Sequence, residues 1–287
     1  MDSTFIETNG IRLHTMQAGP EGGRLIILLH GFPEFWRGWI RQIDPLASAG
    51  FYVLAPDQRG YNLSDKPAQL EAYLLDELGK DIIGLIKASG RQKAVIVGHD
   101  WGGIVAWWLG IHEPEILEKL VIINAPHPNV MRRSLIFNPE QVLKSSYALF
   151  FQLPWIPEAI SRNEDWKLVV NGMLESSRPG TFSEEDMGYY RAAWWRKDAF
   201  TSMLNWYRAN ARFQPVLPEE ARVSVPTLLI WGEQDMALGN YLVEPSAQLC
   251  DQVRVEVFEQ STHWVQHEEA ERVNQLILEF AGEAESS

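Results

Sequence analysis

The stretch from residue 94 to residue 108 constrains the fold of this chain more than any other. Four apolar residues, 94–97, are typical of a buried strand, and an apolar run from residue 104 onwards is typical of a helix. Between them lies a short turn with glycine on both sides of Asp100, formed by Gly98, Gly102 and Gly103. A chain that passes from strand to helix through so few residues bends sharply, and glycines allow the close backbone contacts of such a bend. We therefore expect Asp100 to project above the carboxyl end of a sheet.

The turn resembles the nucleophile elbow of α/β-hydrolases, whose pattern is G-x-S-x-G, with Asp100 in place of the serine. A carboxylate is a poor nucleophile for acyl transfer, but it can displace a leaving group at a saturated carbon and form an alkyl ester. This predicts an alkylating substrate such as an epoxide or an alkyl halide. The alternative is that Asp100 only caps the following helix. The strand, the glycines and the partners described below favour the nucleophile.

Composition limits the remaining possibilities. The chain has 287 residues, 46% of them apolar, which suits one large domain or a domain with an insertion. Its net charge of −13 argues against nucleic acid as a partner and favours a neutral small molecule. The single cysteine, Cys250, cannot form an intrachain disulfide, and the first residues show no basic segment followed by an apolar run. The longest apolar stretch, 104–111, is too short to span a membrane. We expect a cytoplasmic protein without membrane contact, and the sequence leaves the oligomeric state open.

The strand pattern predicts an α/β fold with a mostly parallel, twisted sheet flanked by helices. A hairpin is expected around Asn9-Gly10, and an amphipathic helix over 76–88. Further strands are predicted at 24–29, 51–55, 94–97, 120–123, 225–231 and 253–258.

The strand pattern stops for about a hundred residues after residue 127. This segment is helical in character and rich in tryptophan. We expect residues 128–223 to form a helical cap, a lid that gives the site walls and excludes water. Residues 1–127 and 224–287 would then form the α/β-hydrolase core.

Two loops that follow predicted strands carry the expected partners of Asp100. Asp235 follows the strand ending at Trp231, and His263 follows the strand ending at Phe258. The chain order of nucleophile, acid and histidine is that of α/β-hydrolases, so His263 is predicted as general base, oriented by Asp235. Two alternatives remain open. Glu233 could replace Asp235, and His263 could bind a metal together with His267, although the H-E-x-x-H pattern is absent and no third ligand is obvious.

The loop at residues 30–36 follows another predicted strand. Its Phe32 N–H is a candidate oxyanion donor, paired with the N–H of Trp101 directly after the nucleophile. Asp57 and Arg59 follow the next strand, and for both we expect a structural role in holding their loop.

Four motifs together resemble those of the soluble epoxide hydrolases, and the resemblance covers nearly the whole chain. They are His30-Gly31-Phe32-Pro33, Gly98-His99-Asp100-Trp101-Gly102-Gly103, Trp231-Gly232-Glu233-Gln234-Asp235 and His263. Haloalkane and fluoroacetate dehalogenases share the elbow. Many haloalkane dehalogenases, however, carry asparagine where this chain has Phe32. Fluoroacetate dehalogenases hold their substrate with arginines just after the nucleophile, and residues 101–108 contain none.

The resemblance also implies a pair of proton donors. Segments 145–152 and 203–208 are similar to those that carry the paired tyrosines of epoxide hydrolases, which assigns Tyr147 and Tyr207 to the epoxide oxygen. A tyrosine is protonated at neutral pH and can donate to a developing alkoxide. The substrate site would then comprise Phe32, Pro33, Trp101, Tyr147 and Tyr207.

Each of these tyrosines could instead be an ordinary core residue, and Tyr189 and Tyr190 are the reserve candidates. The expected reaction is hydrolysis of an epoxide by water to a vicinal diol, through an ester on Asp100. It implies no metal and no organic cofactor. The alternatives are a haloalkane dehalogenase with the same nucleophile and a non-catalytic small-molecule receptor on the same fold.

Overall fold

The computed structural model describes residues 1–213, 218 and 221–283. In this part of the chain eight strands form one sheet. The strands are β1 (Asp2–Thr8), β2 (Ile11–Ala18), β3 (Leu25–Leu29), β4 (Tyr52–Pro56), β5 (Ala94–His99), β6 (Leu117–Ile123), β7 (Thr227–Gly232) and β8 (Val253–Phe258).

The sheet is mostly parallel, with the order β1-β2-β4-β3-β5-β6-β7-β8. Among the described strands only β2 runs against the others, because it pairs antiparallel with both β4 and β1. At this edge of the sheet, β1 and β2 form a hairpin. They are joined by Asn9 and Gly10, whose φ angles of 44° and 76° are those of the tight turn that this residue pair favours. The predicted edge hairpin and the predicted parallel strands are confirmed.

Helices connect the strands and form a long insertion between β6 and β7. The helices are α1 (Ile40–Ser48), α2 (Leu75–Ala88), α3 (Trp101–His112), α4 (Pro128–Phe137), α5 (Pro139–Lys144), α6 (Ser146–Phe150), α7 (Ile156–Arg162), α8 (Lys167–Glu175), α9 (Glu184–Trp194), α10 (Ala199–Arg212), α11 (Val243–Ala247), α12 (Val265–Glu268) and α13 (Ala270–Gly282).

The two faces of the sheet are buried in two separate apolar clusters. Along β3, Leu25, Ile27 and Leu29 pack with side chains of α2 and α3, whereas Ile26 and Leu28 pack with side chains of α1 and α13. Successive side chains of a strand point to opposite faces, so a strand covered on both sides is apolar throughout. Helices on both faces therefore hold the central strands in place. The carboxyl ends of these strands form one rigid edge of the sheet, which is called the platform below.

The helices α4 to α10 pack over the loops at this platform. The indole N–H of Trp194 donates to the carbonyl oxygen of Pro33 at 2.7 Å, and that of Trp206 donates to the carbonyl oxygen of Arg59 at 2.9 Å. Both acceptors lie in loops that follow parallel strands. The helical insertion thus covers the edge formed by the carboxyl ends of the parallel strands, which is where such sheets place their sites.

The predicted cap boundaries, 128 and 223, lie near the two places where the chain enters and leaves this insertion. His127 precedes α4, and its Nε2–H donates to the carbonyl oxygen of Ala221 at 2.9 Å. Val223 forms an isolated parallel bridge with Cys250. The division into core and cap stays a prediction. Among the described helices, none combines the length and the apolarity needed to cross a bilayer.

Candidate active site

The elbow between β5 and α3 holds Asp100 in a strained conformation, with φ 50° and ψ −120°. A Cβ at Gly98 would lie 2.3 Å from the carbonyl oxygen of Gly102, and a Cβ at Gly102 would lie 2.1 Å from that of Leu29. A Cβ at Gly103 would lie 2.4 Å from the Cβ of Ala125. The three glycines of the sequence pattern therefore provide the close approach that was predicted for them.

One oxygen of the Asp100 carboxylate is already held by the oxyanion loop, residues 30–36. The N–H of Phe32 donates to Asp100 Oδ1 at 2.8 Å. Gly31 lies against the same side chain, since a Cβ there would be 2.4 Å from the Cβ of Asp100. The second predicted donor, the N–H of Trp101, belongs to the first residue of α3, where backbone N–H groups have no partner within the helix.

The predicted acid and base lie next to each other and face Asp100. His263 Nδ1 donates to Asp235 Oδ2 at 2.6 Å, and His263 Nε2 lies 3.8 Å from Asp100 Oδ2. Asp235 is held by the N–H groups of Ala237 and Leu238 at its Oδ1, at 2.7 and 2.9 Å. Asp100 thus has one oxygen in the oxyanion loop and the other towards the base.

Asn124 completes the support of the acid. Its side-chain amide donates to Asp235 Oδ2 at 2.8 Å, and its Oδ1 accepts from the N–H of Gly232 at 2.8 Å. Asn124 follows β6 directly and has a φ of 42°. The sequence analysis missed this residue. An asparagine directly after a predicted parallel strand was the available signal.

The electrostatics of this group favour a charged imidazole in the free protein. Burial by itself lowers the pKa of His263, but the carboxylates of Asp235 and Asp100 outweigh it and raise the pKa to about 9. Although burial opposes its ionisation, the pKa of Asp235 is lowered by His263 and by its hydrogen bonds. Near neutral pH His263 therefore carries a positive charge and Asp235 a negative one.

These groups open into a cavity of about 430 Å³ between the sheet edge and the helical insertion. Its wall is mostly apolar and includes Phe32, Pro33, Phe150, Phe151, Leu168, Val169, Met173, Phe200, Met236 and Trp264. Asp100, Asp235 and His263 reach the same cavity, together with Tyr147 and Tyr207. An apolar pocket with a few convergent polar groups is typical of a small-molecule site.

Tyr147 lies on α6 and Tyr207 on α10, with their ring centroids 6.1 Å apart. Tyr147 is 38% exposed, but the protein atoms around it keep enough water away to raise its pKa above the ordinary value, and the negative charges of Asp100 and Asp235 raise the pKa further. Burial also raises the pKa of Tyr207, with contributions from Tyr147 and Asp100. Both hydroxyls therefore stay protonated and can donate hydrogen bonds into the cavity.

Comparisons with known proteins agree with this geometry. The profile of the alpha/beta hydrolase fold family matches residues 24–270. The AB hydrolase superfamily protein YfhM of Bacillus subtilis is 49% identical over 276 residues, which cover 96% of each chain. Human Epoxide hydrolase 4 is 37% identical over 284 residues, which cover 97% of this chain and 78% of the relative. The chain belongs to the epoxide hydrolase family.

A solved structure of the epoxide hydrolase family gives the same result for the fold. The crystal structure of Bacillus megaterium epoxide hydrolase in complex with an inhibitor superposes with a TM-score of 0.88 at 30% identity. The match covers 98% of this chain and all of that one. The predicted family and the predicted fold class are confirmed.

The remaining candidates lie elsewhere in this member of the epoxide hydrolase family. Trp101 is not among the described residues that line the cavity; its ring packs edge-on against Tyr207, with centroids 5.0 Å apart. Tyr189 is 45% exposed, with the guanidinium of Arg37 over its ring. Glu233 is exposed and accepts from Asn240.

Asp57 and Arg59, which follow β4, make contacts that hold their loop, as expected. Asp57 accepts from the side-chain amide of Asn62 at 2.8 Å and from the N–H of Trp36 at 3.1 Å. Arg59 forms a buried ion pair with Asp81 at 2.6 Å. These contacts shape the loops beside the oxyanion loop.

A buried polar cluster behind the base was not predicted. Glu34, 1% exposed, accepts from the hydroxyl of Tyr190 at 2.6 Å, from His267 Nε2–H at 2.8 Å and from the amide of Gln266 at 3.2 Å. Burial alone would raise the pKa of Glu34, but His267 and His99 outweigh it and keep the pKa well below its ordinary value. His99 Nε2–H donates in turn to the carbonyl oxygen of His263 at 2.9 Å.

This cluster gives separate partners to the two histidines that were weighed as a metal pair. His263 is hydrogen-bonded to Asp235, and His267 is hydrogen-bonded to Glu34. In the described ranges no group of three or more metal-binding side chains occurs. The signal for the cluster was Glu34 itself, an acid directly after His30-Gly31-Phe32-Pro33, but its three hydrogen-bond donors lie more than 150 residues further along the chain.

Proposed function

We propose that this protein hydrolyses an epoxide to a vicinal diol through a covalent ester on Asp100. One observation carries the proposal. A single apolar cavity brings together the elbow carboxylate, the Asp235–His263 pair and two protonated tyrosines. The printed names of its relatives, Epoxide hydrolase 4 among them, support the same reaction.

The first step is attack by the free carboxylate oxygen. Asp100 Oδ1 is occupied by the N–H of Phe32, so Oδ2 is the oxygen available for attack on a ring carbon. As the ring C–O bond breaks, the hydroxyls of Tyr147 and Tyr207 hold the epoxide oxygen, and one of them gives it a proton. The tyrosinate that remains takes a proton back from solvent water, and the imidazolium of His263 releases its proton to the solvent, so that both groups are neutral before the second step. The result is a hydroxyalkyl ester whose carbonyl oxygen is Oδ1.

The second step is hydrolysis of this ester at the Cγ of Asp100. His263, once neutral, takes a proton from water, and the hydroxide oxygen bonds to Cγ. Negative charge then develops on Oδ1, which already lies in hydrogen-bond contact with the N–H of Phe32. The bond from Cγ to Oδ2 breaks, the alkoxide receives the proton, and the diol leaves with the original Oδ2. The water oxygen stays on Asp100.

The leaving group decides between an epoxide and an alkyl halide. An epoxide oxygen becomes a strong base that needs a proton, and the two tyrosine hydroxyls can supply one. A halide needs N–H donors, but Trp101, whose ring packs edge-on against Tyr207, is not among the described residues that line the cavity. This supports an epoxide as the substrate.

The test is to trap the ester. In His263→Gln the first step proceeds and the second lacks its base, so exposure to styrene oxide should add one substrate mass to the peptide that contains Asp100. Steady-state diol formation should fall by about a thousandfold or more, and likewise in Asp100→Asn. Mass spectrometry and a diol assay give both readouts.

The control for this test is His112→Gln, the same change at the far end of α3, which should keep normal turnover and show no adduct. One turnover by excess wild-type protein in heavy-oxygen water should place the label on residue 100. Absence of an adduct in His263→Gln, or label in the diol alone, would contradict the covalent mechanism. Tight binding of the epoxide without any diol would support the receptor alternative.

We further infer that residues 128–223 act as a cap that closes the site, and that residues 1–127 and 224–287 act as the catalytic core. The helices α4 to α10 over the carboxyl ends of the strands support this division. We also place the protein in the cytoplasm, since its only cysteine, Cys250, is buried and unpaired.

A further inference from the structure

Gln141 on α5 is a fully buried side chain with four hydrogen bonds. Its Nε2 donates to the carbonyl oxygen of Ala237 at 2.8 Å and to Ser145 Oγ at 2.9 Å. Its Oε1 accepts from the N–H of Gly239 at 3.2 Å and from the hydroxyl of Tyr241 at 2.9 Å. A backbone carbonyl only accepts and a backbone N–H only donates, so these partners fix the orientation of the amide.

Three of the four partners belong to the acid loop, residues 235–241. This loop also determines where the acid lies, because Asp235 Oδ1 accepts from the N–H groups of Ala237 and Leu238. Gln141 therefore holds the backbone on both sides of Leu238, from outside the core. Lys144, three residues further along α5, adds a contact to the carbonyl oxygen of Asp235 at 3.1 Å.

The fourth partner connects the same side chain to the tyrosine helix. Ser145 is the residue directly before α6, and its carbonyl oxygen accepts from the N–H of Ala148 in the first turn. Tyr147 lies in that turn. One amide thus joins the loop of the acid to the start of the helix that carries a tyrosine of the cavity.

We propose that Gln141 is a positioning residue that holds Asp235 against His263 and fixes the start of the Tyr147 helix relative to it. The proposal rests on the proposed function for the roles of these groups. Gln141 does not touch the cavity, so it acts only through the acid loop and through Ser145.

Removal of the amide would leave several buried groups without partners. In Gln141→Met the side chain keeps its length, but the carbonyl oxygen of Ala237 and the N–H of Gly239 lose their partners inside the protein. The loop would shift to satisfy them, and Asp235 would lose its alignment with His263. A small misplacement of an orienting group weakens the base without removing it.

The experiment compares Gln141→Met with wild type in single turnovers of styrene oxide across pH. We expect ester hydrolysis on Asp100 to slow by about tenfold or more. The pH midpoint of that step should move to lower pH, because the charge of Asp235 raises the pKa of His263 and a displaced charge raises it less.

The matched control is Gln42→Met. Gln42 on α1 is equally buried, and its amide donates a single bond, to the carbonyl oxygen of Gln266. The proposal holds if only Gln141→Met changes the hydrolysis rate and its midpoint. It is overturned if the two variants behave alike, or if Gln141→Met matches wild type.

A second measurement needs no substrate. The imidazole pKa of His263, followed by NMR in the free protein and assigned by loss of the signal in His263→Gln, should be lower in Gln141→Met and unchanged in Gln42→Met. If wild type forms no diol, the proposed function fails, and this titration still decides the positioning role. Should Gln141→Met not fold, Tyr241→Phe removes one of the four bonds and should shift the pKa of His263 less in the same direction. No shift there would overturn the proposal.

Discussion

At the scale of single residues, the site depends on the different partners of the two carboxylate oxygens of Asp100. The N–H of Phe32 takes one oxygen, and the other faces His263 at 3.8 Å. The charge of Asp100 then has two effects. In the proposed reaction this carboxylate is the nucleophile, and its charge also helps to raise the pKa of His263 to about 9. Formation of the ester removes that charge, so the reaction itself would lower the pKa of His263 when a neutral base is needed.

Asp100→Asn should therefore lower the pKa of His263. Asparagine has the shape of the carboxylate without its charge, and loss of a nearby negative charge destabilises the imidazolium. The pKa should fall below about 9 while Asp235 keeps it raised. An NMR titration of the imidazole measures this shift. Asp251→Asn removes a distant surface charge and should leave the titration unchanged. An equal shift in both variants would show that net charge is the cause.

At the scale of elements, the turn from β5 to α3 packs backbone against backbone so closely that Gly98 and Gly102 leave no room for a side chain. The space at Gly98 and Gly102 is filled by backbone atoms, which cannot move aside as a flexible side chain can. The strain at Asp100 persists because the surrounding sheet and helix determine its position.

Gly98→Ala should destabilise the protein by about 3 kcal/mol, because its Cβ would meet the carbonyl oxygen of Gly102 at 2.3 Å. Gly188→Ala is the matched control. It lies inside α9, where a new Cβ meets no atom within 4 Å, so it should stabilise by about 0.5–1 kcal/mol. Denaturant unfolding measures both values. A small loss in Gly98→Ala would mean that the elbow can relax.

At the scale of the whole molecule, His127 connects the place where the chain enters the helical insertion to the place where it leaves it. Its N–H donates to Ser246 Oγ at 3.0 Å, and its Nδ1 accepts from the N–H of Asn129 at 3.2 Å. Its Nε2–H donates to the carbonyl oxygen of Ala221. Because Nδ1 accepts, the ring must be neutral, and burial lowers the pKa of His127 to about 4.

The wild-type protein should lose stability when the pH falls through this range. The unfolded chain binds a proton at His127 below its ordinary pKa of 6.5, while the folded chain resists until about 4. Acid therefore favours unfolding, by about 2–3 kcal/mol between about pH 7 and pH 4.5. In His127→Gln this part of the pH dependence should disappear, as denaturant unfolding at several pH values would show. The same slope in both proteins would contradict the assignment.

The sequence by itself determined the sheet, its hairpin, the elbow and the acid and histidine that follow two strands. These features depend on local causes: apolar strand residues, the φ preferences of Asn9 and Gly10, and the place where a parallel strand ends. The carboxyl ends of parallel strands meet at one edge of a sheet. The sequence therefore predicted that Asp100 and Asp235, which are 135 positions apart, lie close together.

Only the tertiary structure decided how these groups are supported. The contacts of Glu34 with Tyr190 and His267, and those of Gln141 with the acid loop, join residues about 100 to 230 positions apart. No periodic pattern marks them, since each depends on where a helix from a distant part of the chain packs. Tyr190 reaches Glu34 from α9, His267 reaches it from α12, and Gln141 reaches the acid loop from α5. Packing of the whole chain also places Tyr207 in the cavity wall, whereas Trp101 is not among the described residues that line it. A hydrogen bond needs its two atoms within about 3 Å, and only packing of the whole chain fixes distances that small.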